Sequence, residues 1–220
     1  VIALDMPGSG ETTFRNQDSF DILSQASNLH DFIIAAKINK FHILGTSMGG
    51  AITGVYAARH SNRIKSLVLI NSYGIETKIK SYGEKKYATK AKKIFVYKDL
   101  KHQKIFSNIV FNKQIWIPNS IKHYFLNRRI LKYNHYEKLF NHITKHGNNV
   151  LFPYLKHITA NTLIIWGTED RLFHYSAAYI IKNNIKHSKM VLIKNACHVP
   201  FFDKPKETIF ALKQFYNNKK

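Results

Sequence analysis

Ser47 lies at the centre of the pentapeptide Gly45-Thr46-Ser47-Met48-Gly49, between the apolar run 41–44 and a segment with helical spacing. A serine in such a tight strand-to-helix turn has a strained backbone and projects its hydroxyl away from the sheet. Side chains two positions before and two positions after the serine would collide, which explains a glycine at both. The pattern predicts a nucleophilic serine, and a purely structural turn is the alternative.

A serine hydroxyl is a poor nucleophile at neutral pH, so it needs a base, and the base needs an acid that orients it. In proteins with this type of serine turn the chain order is serine, acid, histidine, each in a loop after a strand. Asp170 follows the apolar run 163–166, and His198 follows the run 190–193. We therefore predict Ser47, Asp170 and His198 as the catalytic residues.

Each predicted partner of the serine has a competitor. Glu169 is adjacent to Asp170 and could be the acid, but only one of two neighbouring side chains points into a site, and we favour Asp170. The chain has twelve histidines, so a surface role is the alternative for His198; its place after the last strand singles it out.

Three further residues could carry other chemistry. His142 and His146 are four residues apart on a predicted helix and could in principle chelate a metal, but no acid or third ligand accompanies them, so a solvated helix face is the better interpretation. Cys197 precedes His198 without an independent base, which favours packing over a second nucleophile. We predict no metal and no cofactor.

Composition limits the class of protein. The 220 residues are 45% hydrophobic and 21% charged, which is typical of one globular domain and not of a disordered, fibrous or coiled-coil chain. The apolar runs, such as 67–70, are far shorter than the roughly 20 residues of a membrane helix. The single cysteine cannot form an internal disulfide and leaves the compartment undecided.

The elements that must position the candidate residues alternate between strand and helix. Strands are predicted at 1–4, 41–44 and 64–70, and again at 163–166 and 190–193. Helices are predicted at 19–37, 47–60 and 176–182, with a last helix capped by Asp203 and carrying Pro205 in its first turn. This alternation predicts a parallel sheet covered by helices. The segment 74–156 is rich in lysine and aromatic residues without a clear strand, and we predict a helical insertion there.

The charge is concentrated in the insertion. The chain carries a net +21, and residues 76–156, with 18 basic and 4 acidic side chains, contribute +14 of it. Such a field favours anionic partners without specifying them, and a compositional bias toward lysine is an equally good explanation.

The sequence resembles the α/β-hydrolase superfamily, and within it the monoacylglycerol lipase branch. The resemblance is carried by Leu4-Asp5-Met6-Pro7-Gly8-Ser9-Gly10, the serine turn, Trp166-Gly167-Thr168-Glu169-Asp170 and Cys197-His198-Val199-Pro200. It implies an esterase or lipase in which Ser47 attacks, His198 transfers the proton, Asp170 orients the histidine and the Met48 backbone N–H binds the oxyanion. Many relatives have glycine where this chain has Cys197, which changes the turn.

The resemblance also implies a fold: an α/β-hydrolase core at 1–74 and 157–220, with a helical lid at 75–156. Relatives have earlier strands and a loop that gives a second oxyanion donor, and this chain starts after them at Val1. We therefore expect a fragment with poor activity on its own, since one lost donor costs about 2.7 to 4 kcal/mol of transition-state stabilisation. Any signal or anchor would lie in that missing part, so localisation stays unknown.

The insertion also bears on the substrate. Apolar residues lie among its lysines and arginines: Ile105, Phe106, Ile109, Phe111, Trp116, Phe125 and Leu126. An apolar lid with a basic rim suits a lipid-like ester and an anionic membrane surface, whereas packing within the lid is the alternative.

Two other functions remain open. One is a basic nucleic-acid or membrane-surface binding protein without catalysis, in which lysines alternate with Tyr82, Tyr87, Phe95 and Tyr97 over 78–104. It leaves the ordered triad unexplained, and we expect no nucleic acid. The other is an acyltransferase, lactonase or carbon–carbon bond hydrolase with the same triad, which the sequence cannot separate from an esterase because the acyl-enzyme is shared.

Overall fold

One sheet of four parallel strands organises the protein, whose computed structural model describes residues 1–15, 17–87, 90–113 and 116–217. The strand order in space equals the order in sequence. Because each neighbouring pair is parallel, all four carboxyl ends meet at one edge of the sheet. The strands are β1 (Phe41–Thr46), β2 (Ile64–Ile70), β3 (Asn161–Gly167) and β4 (Ser188–Ile193). The central strands β2 and β3 are buried almost throughout, as their nearly continuous apolar sequences require.

Helices connect and cover these strands. Helix α1 (Ile22–Ala35) precedes β1, and α2 (Met48–Arg59) connects β1 to β2. Five helices lie between β2 and β3: α3 (Tyr82–Tyr87), α4 (Ala91–Phe95), α5 (Leu100–Val110), α6 (Asn119–Leu131) and α7 (Tyr133–Ile143). The chain then continues through α8 (Ser176–Asn184), α9 (Pro200–Asp203) and α10 (Pro205–Asn217). Short 3-10 turns occur at Ser61–Arg63 and Phe152–His157.

The sheet has a hydrophobic layer on each face. Helices α1, α2 and α8 pack on the face that presents Leu67, Leu69, Ile164 and Trp166, while α10 packs on the opposite face. This confirms the predicted parallel sheet with helices on both faces. The described part of the insertion contains helices α3 to α7 and no strand, which agrees with the helical insertion predicted from the absence of strand-like runs.

Two predictions about local structure are wrong. Residues 1–4 form no strand, because a strand needs a hydrogen-bonded neighbour and none of the four described strands lies beside them. Asp203 does not cap the last helix: it ends α9, and its carboxylate instead accepts the backbone N–H groups of Cys197 and Asn112. Pro205 is the first residue of α10, as predicted.

The first helix begins with a strong cap at Asp21. Its carboxylate accepts the backbone N–H groups of Leu23 and Ser24 and the hydroxyls of Ser19 and Ser24. Burial alone would raise the pKa of Asp21, but the hydrogen bonds from Ser24, Ser19 and Leu23 outweigh burial and lower the pKa to about 2.

We expect Asp21→Asn to reduce stability in a pH-dependent way. Because the folded pKa lies below the unfolded value of 3.8, the carboxylate contributes stability that is present above about pH 4 and lost as the pH falls toward 2. The variant should lose about 2 kcal/mol of unfolding free energy at pH 7 and progressively less in acid, measured by urea unfolding between pH 7 and pH 3. Asp31→Asn, on the exposed side of α1, is the control. A loss of unfolding free energy that is the same at every pH would contradict a stabilising role of the ionised Asp21 carboxylate.

Candidate active site

Ser47 occupies a sharp turn between β1 and α2. Its φ of 52° and ψ of −123° place a non-glycine residue in a strained backbone conformation. The backbone is held firmly there: the Ser47 N–H donates to the Ile70 carbonyl at 3.0 Å, and the Ser47 carbonyl accepts the Tyr73 N–H at 2.9 Å. The turn therefore fixes where the hydroxyl points.

The glycines of this turn have different roles. A Cβ at Gly45 would lie 2.2 Å from the Gly49 carbonyl oxygen, so β1 and α2 can approach each other only with glycine at this position. At Gly49 itself an added Cβ would meet nothing within 4 Å, and the prediction of a collision there is wrong. The second close approach is at Gly50, where a Cβ would lie 2.6 Å from the Ser72 hydroxyl oxygen.

Met48 is the first residue of α2. The N–H groups in the first turn of an α-helix have no intrahelical acceptor and lie at the positive end of the helix dipole. The Met48 N–H is therefore oriented and free of intrahelical bonds, which are the properties required of an oxyanion donor.

Asp170 is buried in the loop after β3, and hydrogen bonds fix its carboxylate from two sides. Oδ1 accepts the backbone N–H groups of Leu172 at 2.8 Å and Phe173 at 3.1 Å. Oδ2 lies 3.0 Å from His198 Nδ1 and accepts Asn71 Nδ2–H at 2.6 Å. Glu169, its competitor, is exposed, and its backbone N–H donates to the Ala196 carbonyl. The structure thus brings Asp170 and not Glu169 to the histidine.

His198 follows β4 and is buried beside the acid. Because the carboxylate can only accept, Nδ1 carries the proton toward Asp170, and Nε2 is left as the basic nitrogen. The imidazole edge packs against the Phe173 ring, with centroids 5.3 Å apart. In the described chain no hydrogen bond joins the Ser47 hydroxyl to His198, and such bonds commonly tighten only when substrate is bound.

Gly167 lets the acid loop and the histidine loop approach each other. A Cβ on Gly167 would lie 2.2 Å from the Cys197 carbonyl oxygen and 2.4 Å from that of Ala196. The end of β3 and the loop after β4 are therefore in backbone contact. This contact places Asp170 and His198 within hydrogen-bonding distance.

Three residues support these loops in a way that the sequence did not predict. Asn71, after β2, contacts Asp170 directly. Arg171 donates to the carbonyls of Asn108 at 2.6 Å and Phe111 at 3.1 Å, which ties the acid loop to the end of α5. Asp203 accepts the Cys197 N–H at 2.7 Å. A polar residue at the end of an apolar strand, such as Asn71, was the one available signal.

Cys197 is fully buried, and its thiol donates to the Ile109 carbonyl at 3.0 Å. Burial raises the pKa of this thiol to about 11, so it stays protonated at neutral pH. The structure therefore agrees with a packing role. The His198 N–H donates to the Val110 carbonyl at 3.1 Å, so the histidine loop, like the acid loop, is bonded to α5.

His142 and His146 do not form a solvated helix face. Helix α7 ends at Ile143, before His146, and His142 Nδ1 accepts the backbone N–H of Phe20. His146 Nε2 lies 3.4 Å from an Asp21 carboxylate oxygen. The described residues contain no group of three or more His, Cys, Asp or Glu side chains suited to a metal ion.

The aromatic residues of the insertion are mostly used in packing. Tyr97 is buried beneath the Arg129 guanidinium, 4.4 Å from its ring centroid, and Tyr87 and Phe95 are half-buried; Tyr82 alone of the four is exposed. Ile105, Phe106 and Ile109 belong to a cluster with Leu172. This arrangement offers few exposed rings on which nucleobases could stack.

The family model described as "alpha/beta hydrolase fold" matches residues 1–88 and 84–205. The chain belongs to the α/β-hydrolase family. This establishes the predicted fold class.

Relatives of this α/β hydrolase include named lipases. The chain is 27% identical over 236 residues to "Monoacylglycerol lipase abhd6-A" of Xenopus laevis, with 100% of this chain and 70% of the relative covered. It is 28% identical to "Monoacylglycerol lipase ABHD6" of Homo sapiens, with the same shares covered. "Lipase 1" of Psychrobacter immobilis is 24% identical, with 98% and 68% covered.

Solved structures give the same fold. The hydrolase chain superposes on the "Crystal structure of a membrane phospholipase A, a novel bacterial virulence factor" with a TM-score of 0.89 and 28% identity, covering 97% of this chain and 68% of that one. The superposition on the "putative lipase (lip1) from Acinetobacter baumannii AYE" has a TM-score of 0.83 and 25% identity, with 97% of this chain and 74% of that one covered.

Proposed function

We propose that the protein is a serine hydrolase that cleaves carboxylic esters through an acyl-enzyme, acting as a lipase or esterase on monoacylglycerol-like lipids. The observation that carries the proposal is the buried Asp170–His198 pair, 3.0 Å apart, at the sheet edge that also holds Ser47 on its strained turn. The names of the relatives support the lipid ester class.

In this mechanism His198 Nε2 removes the proton of the Ser47 hydroxyl while its oxygen attacks the ester carbonyl. The Asp170 carboxylate holds the imidazole in the correct tautomer and stabilises the imidazolium that forms. The imidazolium then gives its proton to the leaving alkoxide, and the acyl-enzyme remains. A water molecule, deprotonated by the same nitrogen, attacks the acyl carbonyl. The bond to the Ser47 oxygen then breaks, the imidazolium returns its proton to that oxygen, and the acid is released.

The negative charge of the tetrahedral intermediate needs a donor aimed at its oxygen. The Met48 N–H supports this role because it begins α2 directly after the nucleophile. Its contribution needs no side chain, so substitutions at Met48 that preserve the turn should leave oxyanion binding intact.

Labelling with a fluorophosphonate probe tests the assignment in the full-length protein. The probe should modify Ser47, identified by peptide mapping, and the protein should hydrolyse a panel of monoacylglycerols and p-nitrophenyl esters. Transfer of the acyl group to an added alcohol in preference to water would indicate an acyltransferase. Probe-resistant protein that binds DNA in a salt-dependent way would instead support the basic binding protein.

We also propose an anionic lipid surface as the partner of α6. This helix buries Leu126, whereas Trp116 just before it and Leu131 at its end are 83% and 85% exposed. Arg128 and Lys132 are exposed on the same helix region. Exposed large apolar side chains beside cations are the combination that inserts at an anionic bilayer interface.

The double variant Trp116→Ala/Leu131→Ala should bind phosphatidylglycerol-containing vesicles at least tenfold more weakly, because two large apolar side chains no longer enter the interface. Vesicle sedimentation measures the partition coefficient. Phe210→Ala on α10 removes an aromatic ring that is 64% exposed and should bind as the wild type does. Unchanged binding of the double variant would remove α6 from the lipid contact.

A further inference from the structure

We infer that Asn71 is a positioning residue for the triad, an inference that rests on the function proposed above. Asn71 follows β2, the strand between that of Ser47 and that of Asp170, and is fully buried. Its side-chain amide joins the acid loop to the histidine loop. Its chain neighbours hold the backbone of the nucleophile.

The Asn71 side-chain amide forms hydrogen bonds through both its nitrogen and its oxygen. Asn71 Nδ2 donates to Asp170 Oδ2 at 2.6 Å, the oxygen that also faces His198 Nδ1, and lies 3.4 Å from the Cys197 carbonyl. Asn71 Oδ1 accepts the Gly167 N–H at 3.3 Å, at the end of β3. The side chain therefore contacts the acid itself, the strand before the acid, and the residue before the histidine.

The backbone of Asn71 is adapted to this position. Its φ of 43° is in the left-handed region, which asparagine tolerates better than most non-glycine residues. Its N–H donates to the Ile165 carbonyl on β3. On its other side, the Ile70 carbonyl and the Tyr73 N–H bind the Ser47 backbone. The four residues 70–73 thus link all three members of the triad.

The chemical consequence concerns Asp170 Oδ2. This oxygen faces two donors, and the Asn71 N–H fixes the rotation of the carboxylate that presents it to His198. Without that donor the carboxylate is fixed only by the Leu172 and Phe173 N–H groups on Oδ1, and Oδ2 keeps only the bond to His198 itself. The imidazole would then sample orientations that do not reach Ser47, which lowers kcat while leaving substrate contacts intact.

Two substitutions separate hydrogen-bond donation from shape. Asn71→Ala should lower kcat on the order of 10²-fold with KM within threefold of the wild type, since small misplacements of reacting groups cost this much. Asn71→Asp keeps the shape but donates only while the two facing carboxyl groups share a proton, and repulsion between the carboxylates raises the pKa at which that proton is lost. Its kcat relative to the wild type should therefore fall as the pH rises from 5 to 9.

The kinetic readout distinguishes a positioning role from a structural one. The inference would be overturned if the ratio of the Asn71→Asp kcat to the wild-type kcat did not change with pH, whatever its value. A loss of packing or folding would lower kcat without this dependence on pH. Thr208→Ala, which removes a fully buried hydroxyl in α10, controls for general destabilisation and should keep the wild-type kcat.

A second readout does not require turnover. The low-field proton resonance of His198 Nδ1–H reports its bond to Asp170, and it should shift in both Asn71 variants while remaining unchanged in Thr208→Ala. An unshifted resonance in the Asn71 variants counts against the inference. If the wild type shows this resonance but neither labels nor hydrolyses esters, the proposed function fails and the positioning of Asp170 by Asn71 still stands.

Discussion

Ser47→Ala is expected to lower kcat for ester hydrolysis on the order of 10⁶-fold, because the variant has no oxygen that can form the acyl-enzyme. Turnover above the uncatalysed rate would come only from substrate binding and the Met48 N–H. Steady-state assays with a monoacylglycerol and with a p-nitrophenyl ester, at equal protein concentration, measure the loss.

The loss should occur without unfolding. The backbone bonds of Ser47 to Ile70 and Tyr73 do not involve its side chain, and Asp170 and His198 bind each other independently of the hydroxyl. The variant should therefore keep the wild-type melting temperature within a few degrees.

A second serine gives the matched control. Ser27→Ala removes an exposed hydroxyl that donates to the Leu23 carbonyl within α1, and it should retain both full turnover and fluorophosphonate labelling. Labelling of Ser47→Ala at another residue, together with retained turnover, would assign the nucleophile elsewhere and exclude the serine turn as the reacting site.

The sheet was predictable because most of its strands can be recognised from their own apolar sequences. Strands β2 and β3 are runs of large apolar residues that must be buried on both faces, and α1 carries an apolar stripe at helical spacing ending in the buried Ile33. The error at residues 1–4 has the opposite cause. An apolar β-branched run is a strand only when another strand pairs with it, and that partner is not encoded in the run.

The same distinction separates the predicted site residues from the missed ones. Ser47, Asp170 and His198 each follow a recognisable strand, and the carboxyl ends of parallel strands meet at one edge, so local patterns were enough to predict that these residues lie at that edge. The bond between Asn71 and Asp170 joins residues 99 positions apart. No spacing rule in a single sequence encodes that contact.

Asp203 and Gly49 show how a correct local rule can be overridden. Asp203 has the sequence context of a helix cap, but two backbone N–H groups from Cys197 and Asn112 lie within reach, and the carboxylate satisfies them instead. The glycine pattern of the serine turn predicts a close contact at Gly49, whereas in this fold the close contact is at Gly50, which packs on Ser72. Tertiary contacts decide both positions.

The second large expected effect is on kcat, and it tests whether Asp170 or the adjacent Glu169 orients the histidine. Asp170→Asn should lower kcat on the order of 10⁴-fold, as expected when the acid no longer fixes the tautomer of the histidine. An amide has one acceptor oxygen where the carboxylate has two. Either the Leu172 and Phe173 N–H groups or the His198 and Asn71 donors must then face an N–H group.

Glu169→Gln is the matched control, because it makes the same change of carboxylate to amide one residue away on an exposed side chain. It should leave kcat within twofold of the wild type. Steady-state kinetics of both variants at pH 8 decide the assignment. A large loss in Glu169→Gln with little loss in Asp170→Asn would mean that the buried pair seen here is structural, and that the catalytic histidine takes its orientation from the outer acid.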